Sequence, residues 1–161
     1  MEFLPISGGH VEPLGVEACF ELLRGHRVGT VAVTDGALPV VIPVAYGVPD
    51  VRPDVRPDVR PDDRHDDRPD VRLDGRIVLQ APILEVLRRS SGGVAALGAH
   101  SFESALGSGW SVSVVGVMHA LSGPEAGAAA RSIGLDDDAA PRRLLLEMSA
   151  GHIVGWRFTG G

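Results

Sequence analysis

The sequence contains no lysine and no asparagine, so all 15 of its basic residues are arginines. Its one cysteine, Cys19, excludes an intrachain disulfide framework. No apolar run reaches the roughly 18 residues of a membrane-spanning helix, and the first residues lack the basic and apolar segments of a secretory signal. The net charge of −6 argues against a general nucleic-acid-binding role. We therefore expect a cytoplasmic protein that binds neither membranes nor nucleic acids.

The overall composition is that of an ordinary globular domain. The 161 residues are 44% hydrophobic and 22% charged, which is usual for a soluble chain with a real core. Because this length suits one domain, we expect residues 1–161 to form a single unit.

A four-residue repeat of Asp, Val, Arg and Pro occupies the middle of the chain. Asp and Arg each recur every four residues across 50–76, which holds 9 Asp and 7 Arg. The recurring prolines exclude a regular helix and a central strand, and the segment has little apolar surface with which to offset the entropy of ordering. We expect an extended or disordered insertion at about 49–72.

Three roles for this insertion are open from the sequence. It would dock a charged partner, or bind a metal through its aspartates and His65, or be a tandem expansion without function. Closing a longer loop costs only about 0.6 kcal/mol per doubling of its length. This low cost favours the last interpretation, since long insertions are tolerated best at exposed tips.

The segments on either side of the repeat have the pattern of one hairpin. Residues 38–48 form an apolar, β-branched run, and residues 73–79 contain an Asp-Gly pair followed by another such run. Asp-Gly between apolar runs is typical of a tight hairpin turn, which places the insertion at a hairpin tip. Pro39 and Pro43 within the first run indicate an edge, a bulge or a rim position.

Local periodicity predicts short strands, tight turns and few helices elsewhere. The predicted elements are helices at 16–25, at 83–89 (Ile83, Val86 and Leu87 on one face) and at 122–133, strands at 27–34, 94–100 and 110–121, a loop at 101–109, and a final hairpin of 143–148 with 152–158. Gly116 predicts a bend at a barrel corner. This pattern favours a mainly β fold with flanking helices, a small barrel of six to seven strands, over a doubly wound sheet.

Several segments together resemble the pyridoxamine 5′-phosphate oxidase-like family of FMN-binding split barrels, and most of all its small actinobacterial and nitroimidazole-resistance-like members. They are LGVEAC (14–19), RVGTVAV (27–33), LPVVIPVAY (38–46), LDGRIVL (73–79), GWSVSVVG (109–116) and IVGWR (153–157). The resemblance implies a split barrel and a homodimer that holds FMN in a cleft between its subunits. It also implies hydride or electron transfer to a small-molecule substrate.

The same resemblance suggests which residues would contact FMN. Val41, Pro43 and Val44 match a strand whose backbone lines the flavin ring, and Trp110 and Ser111 match a segment near the flavin. Each also has an ordinary interpretation, because apolar strand residues and a half-buried Trp commonly serve packing alone.

The expected phosphate-binding positions depart from the family pattern. Where relatives commonly have Arg, Thr, Gly and Lys or Arg, this chain has Gln80, Ala81, Leu84 and Val86. Charge-assisted hydrogen bonds are worth about 1.5–3 kcal/mol each, so their loss weakens phosphate binding unless another group replaces them. Two arginines one helical turn further on, Arg88 and Arg89, are the candidate replacements.

Three functions from different classes follow. The first is an FMN-dependent oxidoreductase, in which the cofactor carries the chemistry and no catalytic residue can be named. The alternative is a flavin-free module for a deazaflavin or another ligand; a regulatory role through the repeat is a third. His100, His119 and His152 lack the close spacing of a zinc site, so we expect no metal.

Overall fold

The computed structural model describes residues 9–49, 75–103, 107–135 and 143–160. The repeat and its predicted roles therefore lie outside the described residues, as does Asp74 of the Asp-Gly pair. The elements, in chain order, are β1 (His10–Leu14), α1 (Val16–Arg24), β2 (Val28–Asp35), β3 (Leu38–Gly47), β4 (Arg76–Pro82), α2 (Glu85–Arg89), β5 (Gly93–Glu103), β6 (Ser108–Ala120), α3 (Gly123–Ser132) and β7 (Arg143–Thr159).

The strands form an antiparallel barrel. Their order is β1-β7-β4-β3-β2-β5-β6, and β6 also pairs with β7. The β6–β7 pairing closes six strands into a ring, while β1 pairs with the C-terminal part of β7, Gly155 to Thr159. The mainly β prediction, with few helices and a split barrel, is confirmed.

The barrel interior follows from the alternation of side chains along each strand. Val31 and Val33 of β2 point inward and are buried, as are Leu97 of β5 and Leu146 of β7. Cys19, Phe20 and Leu23 share one face of α1 and join this core. A second cluster on the outer wall packs α3 against Val78 and Leu145.

The final hairpin prediction was wrong, because β7 is one continuous strand of 17 residues. Val115 pairs with His152 and Gly116 pairs with Ala150, so Gly151 is an extra residue in a β-bulge. The Ser-Ala-Gly sequence therefore bends a strand instead of reversing the chain. Gly116 lies at this irregularity, as predicted, and a Cβ there would overlap the carbonyl oxygen of Ser149.

Several other element boundaries differ from the sequence prediction. The loop expected at 101–109 was wrong at both ends, since β5 continues to Glu103 and pairs there with Ser108 of β6. Long-range pairing extends both strands beyond their alternating segments. The helix predicted at 83–89 begins later, at Glu85. Ile83 therefore precedes α2 and is 49% exposed, whereas Leu87 is buried as part of the helix. Strand β1 was not anticipated, because five residues with one proline give a weak pattern.

The ring has a short seam between β3 and β4. β2 and β3 pair over eight residues, but β3 and β4 pair over only three, Ala45 to Gly47 with Gln80 to Val78. Pro39 and Pro43 lie on the part of β3 without a β4 partner. Of the edge, bulge and rim positions that the sequence left open for these prolines, an edge is the one observed, and β3 and β4 are antiparallel neighbours as expected. In the described parts, no helix is long and apolar enough to cross a bilayer.

Candidate functional site

The open edge of β3 exposes backbone groups at the seam. The N–H of Tyr46 donates to the carbonyl of Arg27 at 2.8 Å, so the backbone of Tyr46 faces β2. Along an antiparallel strand, the N–H and C=O groups of successive residues point to opposite sides. The backbone groups of Pro39, Val41 and Pro43, at odd spacing from Tyr46, therefore face the open edge. Proline has no N–H. Val41 therefore supplies the one donor of these three, beside three carbonyl acceptors.

A cavity of about 480 Å³ lies at this seam. The described residues that line it are Val28, Pro43, Val44, Ala45, Gln80, Ala81, Pro82 and Arg143. Its walls are mostly apolar, with two polar side chains at the β4–β7 side. This composition, an apolar slot with a few polar groups, is typical of small-molecule sites.

Gln80 and Arg143 form the polar end of this first cavity. Gln80 is 6% exposed, and Nη1 of Arg143 donates to its Oε1 at 2.9 Å. Arg143 pairs with Pro82 in the β4–β7 register, and Pro82 is two residues from Gln80 on the same face of β4. The side chains of Arg143 and Gln80 therefore meet on the outer wall. The hydrogen bond fixes the Gln80 oxygen toward Arg143 and leaves its amide N–H groups for another partner.

A second cavity, of about 620 Å³, shares Val28 and Pro43 with the first. Its polar lining includes His26, Arg27 and His100. Nδ1 of His26 lies 3.1 Å from the carbonyl of Leu22, so that nitrogen donates. Nη1 of Arg27 donates to the carbonyl of Ile133 at 3.0 Å. The two cavities thus form neighbouring chambers of one groove, and the second is basic.

Three of the residues predicted from the sequence meet in the first cavity: Pro43, Val44 and Gln80. Val41 lies next to them on the open edge and is 62% exposed. Trp110 and Ser111 line neither cavity, but Ser111 pairs with His100, which lines the second. The Trp110 ring meets the His26 ring edge-on, with centroids 4.4 Å apart.

The arginines of α2 are placed differently. Arg88 and Arg89 are exposed, and neither lines the two cavities. Nη2 of Arg89 binds Oδ2 of Asp35 at 3.0 Å, which directs it toward the β2–β3 turn. Sequence reasoning missed Arg143, His26 and Arg27 as site residues. No spacing signal could have found Arg143, because it meets Gln80 only through strand pairing 63 residues away.

Two buried titratable groups of the barrel core are held neutral. Burial raises the pKa of the Tyr46 hydroxyl to about 12, and burial also raises the pKa of the Cys19 thiol. Both groups therefore stay protonated near neutral pH and are poor nucleophiles. His100, His119 and His152 lie on three different strands, and the described residues contain no group of three or more metal-ligating side chains.

Comparison with known proteins identifies this barrel. The family model for pyridoxamine 5′-phosphate oxidase matches residues 15–155. The chain belongs to this family. The resemblance seen in the sequence is thereby confirmed, although no curated protein matches the chain.

Solved structures share the fold of this family member at low sequence identity. A candidate pyridoxamine 5′-phosphate oxidase from Corynebacterium glutamicum is 18% identical, with a TM-score of 0.63 over 94% of this chain and 95% of that one. An FAD-binding protein from Mycobacterium smegmatis is 17% identical, with a TM-score of 0.60 over 91% of this chain and 98% of that one. A candidate 5-nitroimidazole antibiotic resistance protein from Bacteroides thetaiotaomicron is 14% identical, with a TM-score of 0.57 over 94% of this chain and 89% of that one. These similarities show the fold.

Proposed function

We propose that the chain is a flavin-dependent oxidoreductase that binds FMN in the groove along the open edge of β3. The observation that carries this proposal is the unpaired stretch of β3 with its adjoining cavity in a barrel of this family. FAD-binding structures with the same fold, including the one from Mycobacterium smegmatis, support it.

The groove fits a flat, partly polar ring. Val28, Pro43 and Ala45 offer apolar contact, and the Val41 N–H with the neighbouring carbonyls offers donors and acceptors to the ring edge. A bound flavin supplies hydride or electron transfer. The protein side chains would orient the ring and exclude water, while the basic second chamber would hold the substrate.

A second copy of the chain would cover the groove. The outer faces of β2, β3 and β5 expose Val28, Val41 and Val94, with accessible fractions of 71%, 62% and 67%. Val94 pairs with Val117 of β6, so the apolar surface continues across four strands. Contiguous exposed apolar surface is typical of protein–protein interfaces, and we expect a homodimer that buries it.

The alternative function is a flavin-free module for a deazaflavin or another ligand. The specific observation in its favour is that Gln80, Ala81 and Val86 stand where relatives have Arg, Thr and Lys or Arg, together with the placement of Arg89 against Asp35. An apolar or deazaflavin-like ligand would then fill the groove.

The first test is a spectrum of the purified protein, followed by FMN titration monitored by quenching of flavin fluorescence. The flavoprotein proposal predicts a yellow protein, or saturable quenching at low micromolar FMN or below. A colourless protein that leaves FMN fluorescence unchanged at high micromolar concentrations would contradict it and favour the alternative.

A further inference from the structure

Only one described residue brings positive charge to the first cavity. Of the described side chains that line it, Arg143 is the one cation, and there is no Asp or Glu. The nearby arginines of α2 lie outside the cavity, and Arg89 is paired with Asp35. An anionic ligand in this chamber would therefore meet Arg143 first.

The charge of Arg143 is available to a ligand. The ion pairs seen in the described part of the chain join Arg76 to Glu147, Arg89 to Asp35 and Arg157 to Glu12, and do not include Arg143. Its hydrogen bond to Gln80 occupies one of five guanidinium N–H donors. The remaining donors can form the paired hydrogen bonds by which arginine binds a phosphate.

Gln80 holds the guanidinium at the cavity. Gln80 is buried, and its oxygen accepts from Arg143 without neutralising the charge. A glutamate here would form a salt bridge and cancel that charge, whereas the glutamine orients it.

We infer that Arg143 is the anion-binding residue of the groove, that Gln80 is its positioning residue, and that the ligand carries a phosphate group. The inference rests on the proposed flavin function and adds that the protein prefers FMN to riboflavin because of a cation on β7. Strand β7 thus supplies the charge that β4 and α2 do not bring to this chamber.

The test compares FMN, riboflavin and inorganic phosphate on wild type, Arg143→Met, Arg143→Lys and the control Arg88→Met, all checked for folding by thermal melting. Loss of one charge-assisted contact predicts FMN binding about 10- to 100-fold weaker in Arg143→Met. Riboflavin binding should be unchanged, Arg143→Lys should be intermediate, and Arg88→Met should match wild type.

Inorganic phosphate decides the inference independently of flavin. Broadening of its ³¹P resonance by wild type and by Arg88→Met, but not by Arg143→Met, supports an anion site at Arg143. Equal broadening by all three, or none by wild type, overturns the inference. If flavins fail to bind while phosphate still depends on Arg143, the flavin proposal fails and the anion site stands.

The Gln80→Glu variant tests the charge at position 80 while keeping the size of the side chain. This variant keeps the side-chain size and adds a carboxylate beside Arg143, so phosphate broadening and FMN affinity should fall toward the Arg143→Met values while the melting temperature is retained. A folded Gln80→Glu protein with wild-type FMN and phosphate binding would show that Gln80 does not position the cation.

Discussion

At the scale of the residue, Tyr46 is an unusual member of the barrel core. Its side chain is buried to 1% exposure, and its hydroxyl has no hydrogen-bond partner among the described residues. A buried hydroxyl without a partner costs about 1–3 kcal/mol. Its ionisation costs more still, and burial accordingly raises the pKa to about 12, from 10.0.

Replacing Tyr46 with Phe should therefore leave stability at neutral pH equal or higher. It should also reduce alkaline denaturation. Because the folded-state pKa lies above that of the unfolded chain, the stability that Tyr46 contributes is complete below pH 10 and is lost as pH rises toward 12. Urea unfolding of wild type and Tyr46→Phe at neutral pH and at stepped alkaline pH measures both effects. A markedly less stable variant at neutral pH would indicate a hydrogen-bonded hydroxyl.

Single residues of the candidate site differ in how far the sequence predicts them. Pro43 and Gln80 stand on strands with recognisable patterns, so their segments could be assigned to the groove. Arg143 could not, because its role depends on facing Pro82 across two strands far apart in the chain. His26 likewise acquires its place from the Trp110 ring against it.

At the scale of the element, the sequence predicts those helices and strands whose boundaries depend on residues close by in the chain. The amphipathic face of α1 and its end at Gly25 were predictable, because apolar spacing and the residue that ends the helix lie within ten residues. The continuity of β7 was not, since Ser149 to Gly151 form a bulge only when Val115 and Gly116 stand opposite. Neighbouring strands, not the local sequence, decide between a turn and a bulge there.

The register of β4 depends on β7 more than on β3. Seven residues of β4 pair with β7, and three pair with β3. The connection between β3 and β4 therefore does little to position β4, which explains how a long repeat can occupy it.

Deleting residues 50–72 should leave the barrel intact. The shortened loop costs less to close, so we expect an unchanged circular dichroism spectrum, a melting temperature equal or slightly higher, and the same FMN affinity. A control deletion of equal length that removes β5 and part of β6 should not fold. A large loss of stability or of FMN binding in the repeat deletion would assign the repeat a structural or binding role.

At the scale of the whole molecule, the barrel presents its candidate groove on an apolar wall. Val28 lines both cavities and is also part of that wall. Association through this wall would bury the exposed valines and enclose the groove in one step. Dimerisation and ligand binding should therefore strengthen each other.

A charge placed in the wall should disrupt the dimer. We expect wild type to sediment as a dimer at micromolar concentration and Val94→Glu to sediment as a monomer with weaker FMN binding, because a desolvated carboxylate at an interface is costly. Val11→Glu is the matched control, since Val11 is exposed on β1, three strands away around the barrel. A monomeric wild type, or equal effects of the two variants, would contradict this arrangement.

The central place of β7 also bears on how the chain is made. β1, β4 and β6 all use β7 as a partner, although the ribosome synthesises β7 after the other three. On the growing chain, the β2–β3 and β5–β6 pairs can form early through short connections. The ring cannot close until β7 emerges, and until then the unpaired edges of β1, β4 and β6 are the surfaces most exposed to aggregation and to chaperones.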